Sequence, residues 1–211
     1  MATQARIGVC SWSMDVPYEA ARMARECQEL GAELLHLSLG PVVEKATAGE
    51  RAALIAELKR MEMPVSAGMI AFAREDYHNL ATIRASGGLV PDGYFAERLD
   101  RLLTAAQVCH ELGLGLLSTH AGFIPESGDP GFEKFKDRMN GVLKKLAPLG
   151  VTLLFETGQE SAATLSGFLK HLDPQWVGIN FDPANMLLYG KGNPLEAIVT
   201  LKPWVKHVHI K

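Results

Sequence analysis

Short apolar runs alternate with amphipathic helical runs along almost the whole chain, and no other feature limits its fold as strongly. Residues 6–12, 33–39, 64–72, 114–119, 151–155, 177–181 and 205–210 each read as a strand stopped by polar residues, Gly or Pro. The intervening helical runs keep steps of three and four between apolar positions. Ala20, Met23, Cys27 and Leu30 share a face of residues 17–30, which Gly31 stops; Leu54, Leu58 and Met61 do so over 49–61. Phe95, Leu99, Leu102, Leu103 and Ala106 form the stripe of 94–112, and Phe132, Phe135, Met139, Val142 and Leu146 that of 132–149. Leu165, Phe168 and Leu169 anchor a helix over 164–172, and a short helix ends near Leu201. Residues 73–93 read as the longest irregular region, a length that usually marks a functional or mobile loop.

Strands alternating with helices imply parallel strands joined by helical crossovers, an α/β fold. A doubly wound sheet often carries GxGxxG after its first strand; here Cys10-Ser-Trp-Ser-Met follows instead. A (β/α) TIM-type barrel places functional residues at the C-terminal tips of many strands, and that is the pattern of this chain. Eight units take roughly 250 residues, whereas 211 residues supply seven strands. The expectation is a single barrel domain over residues 1–211, C-terminally truncated, with the eighth β/α unit missing.

Glu156 ends the fifth strand, Asp182 the sixth, and His209 stands near the end of the seventh. Two hard carboxylates and one imidazole suit a divalent ion such as Mn, Mg or Co, and also accommodate Zn. Such a set leaves positions open for substrate oxygens, which the ion polarises as a Lewis acid. Of the two histidines on the last strand, His209, nearer the tip, is expected to face the barrel mouth, and His207 to pack under the outer helices. His120 at the end of the fourth strand is a candidate substrate ligand. Asn185, three residues past Asp182, could reach a substrate hydroxyl; Arg84 beside Gly87-Gly88 could clamp an anionic group; Lys211 could face substrate. Trp12 could form a wall of the pocket but is expected in the core, His110 and His171 are expected to be structural, and His36 and His78 have no evident partner.

Net charge −3 argues against a protein that grips nucleic-acid phosphates. No apolar run approaches the ~20 residues a membrane helix needs, and the N-terminus has no signal-peptide character. Three isolated cysteines without CxxC spacing fit reduced thiols and a cytoplasmic location.

Several motifs carry a resemblance. Leu154-Phe-Glu-Thr-Gly158, Asn180-Phe-Asp-Pro-Ala-Asn185 and Lys206-His-Val-His-Ile-Lys211 resemble the sugar isomerase/epimerase superfamily of the xylose isomerase-like barrel. Ser118-Thr-His-Ala-Gly-Phe-Ile-Pro125 and Thr82-Ile-Arg-Ala-Ser-Gly-Gly-Leu-Val-Pro-Asp92 resemble its sugar phosphate isomerase/epimerase branch. In ketose 3-epimerases of that superfamily, Glu, Asp, His and a final Glu hold a divalent ion. The first three correspond to Glu156, Asp182 and His209; the fourth belongs to the eighth strand. The resemblance implies that Glu156 also moves a proton next to the substrate carbonyl through a metal-stabilised enediolate, with the absent glutamate working on the opposite face. Asn185 departs from the pattern, because sugar epimerases often carry a substrate-binding histidine there.

A nuclease of the endonuclease IV type needs more histidines than this rim offers, and a more basic face. The expected activity is therefore a metal-dependent isomerase or epimerase of a sugar, sugar phosphate or polyol, with homo-oligomer formation left open. A metal-dependent dehydratase acting on an inositol-like substrate, and a non-catalytic carbohydrate-binding barrel or inactive fragment, remain alternatives.

Overall fold

The computed structural model describes residues 5–210. Seven parallel strands lie side by side in chain order: β1 (Gly8–Cys10), β2 (Leu34–Ser38), β3 (Val65–Met69), β4 (Leu116–Thr119), β5 (Thr152–Glu156), β6 (Val177–Phe181) and β7 (Val205–Val208). The helices between them are α1 (Ala20–Glu29), α2 (Gly40–Val43), α3 (Ala48–Leu58), α4 (Leu80–Ser86), α5 (Phe95–Leu112), α6 (Phe132–Leu146), α7 (Ala162–Leu169), α8 (Pro183–Leu188) and α9 (Pro194–Leu201). Strand order that follows chain order is the topology of a barrel, and the sheet curls until β1 and β7 flank one cavity. The expected α/β barrel with seven strands is the observed architecture.

Local chemistry explains the element ends. Thr47 and Glu50 form a reciprocal cap on α3: the Glu50 amide donates to Thr47 Oγ1 at 3.2 Å, and the Thr47 amide donates to the Glu50 carboxylate at 3.0 Å. Gly113 closes α5 in the left-handed region at φ 73°, where a side chain is strained. Three short helices depart from the sequence reading. Residues 73–93 contain α4, started by Asn79, whose side chain accepts from the amides of Ala81 and Thr82. Pro41 opens α2 rather than simply breaking the strand, and Pro183 opens α8, because the first helical turn has no use for the missing N–H.

The register separates the two faces of the sheet. Leu37, Gly68 and Leu117 are neighbours across β2, β3 and β4, followed by Leu153 and Val177, and this face packs under the helices. Phe155 stacks on Phe168 of α7, which receives the ring edges of Phe132 and Phe135 of α6 at 5.8 and 4.9 Å. The opposite face carries Cys10 beside His36, Met69 beside Ser118, and Glu156, Asn180 and His207 in one row.

His207 corrects the sequence reading. Residues two apart on a strand share a face, so His207 and His209 go together. Ile179 pairs with Val205 but Asn180 pairs with His207, so Lys206 is an extra residue that turns the shared face inward. His207 therefore lies inside the barrel, where its Nδ1–H donates to Asn180 Oδ1 at 3.0 Å and Ser66 Oγ donates to its Nε2, also at 3.0 Å.

Candidate metal centre

The candidate centre sits at adjacent strand tips. Asp182 directly follows β6 and is fully buried. Its Oδ1 accepts from the Asn185 amide at 2.8 Å, so it caps α8. That cap fixes the carboxylate and leaves Oδ2 3.8 Å from His209 Nδ1. Thr157 locks the β5 and β6 tips together: its Oγ1 accepts from the Asp182 amide at 2.8 Å and donates to the Asp182 carbonyl at 3.1 Å.

Glu156 Oε1 lies 3.5 Å from His209 Nδ1 and accepts from Asn185 Nδ2 at 3.1 Å. One ligand atom from each of Glu156, Asp182 and His209 falls within 4.8 Å of the others. Ions with bond lengths near 2.0–2.2 Å set neighbouring ligand atoms ~3 Å apart and opposed ones ~4 Å apart. The separations and the O, O, N chemistry thus fit a divalent cation, and these are the residues that would hold it.

His209 also touches the other side of the barrel. Its Nε2 lies 2.9 Å from His36 Nδ1 and 3.8 Å from Cys10 Sγ. Burial works against its charge, but the contacts with Cys10 and Glu156 outweigh it and hold the imidazole up at about 9. His36 is pushed the other way, to about 3, by burial and then by the positive potential of His207 and His209. His207 is held at about 4 by burial and by His209.

The remaining predicted site residues separate. His120 lines the same cavity of about 1160 Å3 as Glu156 and His209. Asn185 Nδ2 donates to the Glu156 carboxylate at 3.1 Å. Arg84 lines a neighbouring cleft of about 950 Å3, with its guanidinium 4.9 Å over the Phe123 ring. Lys211 lies outside the described residues. Trp12 is not in the core: it is 48% exposed and sets its ring edgewise to His36 and His209 at 4.9 and 5.9 Å.

Sequence reasoning missed Asn180, fully buried, whose Nδ2 lies 3.1 and 3.2 Å from the two His209 nitrogens. A polar residue inside an otherwise apolar strand was the available signal. His36 was missed as well, on the same kind of signal. His110 and His171 are structural as expected, the first bonded to the Leu149 carbonyl and the second edgewise to Phe132.

No curated protein matches the sequence. Solved structures do. A xylose isomerase domain protein from Planctomyces limnophilus is 30% identical, with 88% of this chain and 67% of that one covered and a TM-score of 0.80. The 3-keto-D-glucoside 4-epimerase of E. coli is similar over 98% of this chain and 79% of its own, at 15% identity and a TM-score of 0.70. A barrel protein from Mycobacterium smegmatis in complex with magnesium covers 98% of this chain and 74% of its own, at 15% identity and a TM-score of 0.68. The family described as xylose isomerase-like TIM barrel matches residues 25–211. With its seven parallel strands and its curled sheet, the chain belongs to the xylose isomerase-like TIM barrel family.

Proposed function

We propose that the protein is a divalent-metal-dependent isomerase or epimerase of a sugar, sugar phosphate or polyol. The observation that carries the reading is the convergence of Glu156, Asp182 and His209 within 4.8 Å, with Glu156 and His209 lining a cavity roomy enough for a sugar. A bound Mn, Mg or Co ion, or Zn, supplies Lewis-acid polarisation of the substrate carbonyl. Glu156 takes the proton from the carbon beside that carbonyl. Asn185 holds its carboxylate in place through Oε1, so the base needs little reorganisation to act. His120, just past the tip of β4 next to β5 and lining the same cavity, contacts a substrate hydroxyl. The two-base form of the reaction requires a second carboxylate opposite Glu156. Lys211 and Arg84 remain proposed contacts for more distant substrate groups.

Three unpaired cysteines support a cytoplasmic setting for this reading. Among the described residues, no helix is long and apolar enough to cross a membrane.

The test is solvent deuterium exchange into a panel of aldoses, ketoses and polyol-derived ketones, with Mn or Co added. Exchange next to the carbonyl without loss of water supports an isomerase or epimerase; loss of water instead means a dehydratase. Glu156→Gln is expected to lower exchange by about 10²–10⁴-fold. Failure to bind Mn or Co, together with no effect of Glu156→Gln, overturns the reading.

A further inference from the structure

The two nitrogens of His209 face two different sets of donors. Nδ1 looks toward Glu156 and Asp182 at 3.5 and 3.8 Å, whereas Nε2 looks toward His36 Nδ1 at 2.9 Å and Cys10 Sγ at 3.8 Å. Cys10, His36 and His209 again place one ligand atom each within 4.8 Å of the others. Zinc bonds of ~2.3 Å to sulfur and ~2.0–2.1 Å to nitrogen, in a tetrahedron, separate S from N by ~3.6 Å and N from N by ~3.3 Å. The two observed separations lie within about half an ångström of those edges.

His36 is also held as a ligand imidazole is commonly held. It is buried on β2, and its Nε2–H donates to the Gly68 carbonyl at 3.3 Å, which leaves the lone pair of Nδ1 facing His209 Nε2 at 2.9 Å, with Cys10 Sγ within 4.8 Å. A backbone carbonyl fixing the tautomer and ring orientation is the usual outer support of a metal-binding histidine. Trp12 covers the edges of both rings, which restricts the approach of water.

The chemistry of this set differs from that at the strand tips. One thiolate and two imidazoles are softer donors than two carboxylates and one imidazole, so they select zinc or cobalt over magnesium or manganese. We propose that Cys10, His36 and His209 form a second metal site, selective for zinc-like ions, that shares only His209 with the carboxylate set. Binding forms a metal–sulfur bond, and the Cys10 thiol proton leaves to solvent; no oxidation occurs. The fourth position opens on the cavity lined by all three residues. This site does not depend on the isomerase reading, and the cavity holds it whether or not the carboxylate set turns a substrate over.

Cobalt titration tests it, because cobalt bound to a thiolate gives an intense near-ultraviolet charge-transfer band that oxygen and nitrogen ligands do not. The wild-type protein is expected to show the band at one equivalent per chain. Cys10→Ser is expected to remove it and to weaken zinc binding by more than about 100-fold, the upper end of what losing an outer-shell partner costs, while manganese binding is unchanged. Cys10→Ala repeats the test without a hydroxyl that could itself bind metal. Glu156→Gln and Asp182→Asn are expected to keep the band, which separates this site from the proposed catalytic one. Absence of the band in wild type, its persistence in both Cys10 variants, or its loss in the two carboxylate variants overturns the proposal. The other thiols, Cys27 and Cys109, are fully buried among apolar side chains and serve as internal controls.

Discussion

The two faces of the same sheet are built on opposite principles. Under the helices, Leu35, Leu37, Leu117, Leu153, Phe155 and Ile179 are buried among apolar partners, and any well-packed hydrocarbon of the right shape serves there. Inside the barrel the strands carry His36, Ser118, Asn180 and His207, joined by directional hydrogen bonds. Removing one partner there leaves another buried polar group unsatisfied. The outer face is held by apolar packing, and the inner face by a network of polar groups. That difference teaches where variants should hurt folding and where they should hurt only the site.

The sharpest way to break this division is Phe168→Ala. Its ring is buried and meets Phe132, Phe135 and Phe155, so the expected loss is about 3–5 kcal/mol, read from the urea midpoint. Manganese affinity of the protein that remains folded should be unchanged; a parallel loss of both would mean that the two faces are coupled.

A smaller effect is expected from acid. His36 and His207 sit near 3 and 4 in the folded state against 6.5 ordinarily. Between those values the unfolded chain binds more protons, so their contribution is present above about pH 6.5 and is lost as pH falls. In chelator-treated protein, His207→Gln should flatten the fall in urea midpoint between pH 6.5 and 4. An unchanged slope would show that His207 does not titrate with unfolding.

Glu160 is expected to give a pH effect of opposite sign. Burial raises its carboxyl to about 8 from 4.5, partly countered by Lys191. A group protonated when folded and ionised when unfolded stabilises below 4.5 and loses that contribution as pH rises toward 8. Glu160→Gln should therefore remove a decline in stability between those values, seen as a flatter plot of midpoint against pH.

Much of the outer face was legible in the chain. Phe132, Phe135, Met139, Val142 and Leu146 keep helical spacing, and all five are buried on one side of α6. That Glu156, Asp182 and His209 come together was legible too, because they stand where apolar strands stop, and strand tips converge in a barrel. Other features were not. Trp12 reads as core before a pocket wall, yet it stands half-exposed over two histidines. His36 looked solitary because its partners, Cys10 and His209, are 26 and 173 residues away in sequence. Asn180 was silent for a similar reason, since its contacts with His207 and His209 cross from β6 to the next strand.

By itself the sequence determined the fold class, the outer core and which residue types stand at the strand tips, because those follow from local periodicity and from where apolar runs end. Only the tertiary structure decided which way the last strand faces. One extra residue at Lys206 shifts its register and carries His207 and His209 into the barrel. Such a shift is set by pairing between strands, and no local pattern in β7 records it. The same event gives His209 its two sides, one toward carboxylates and one toward a thiol and an imidazole.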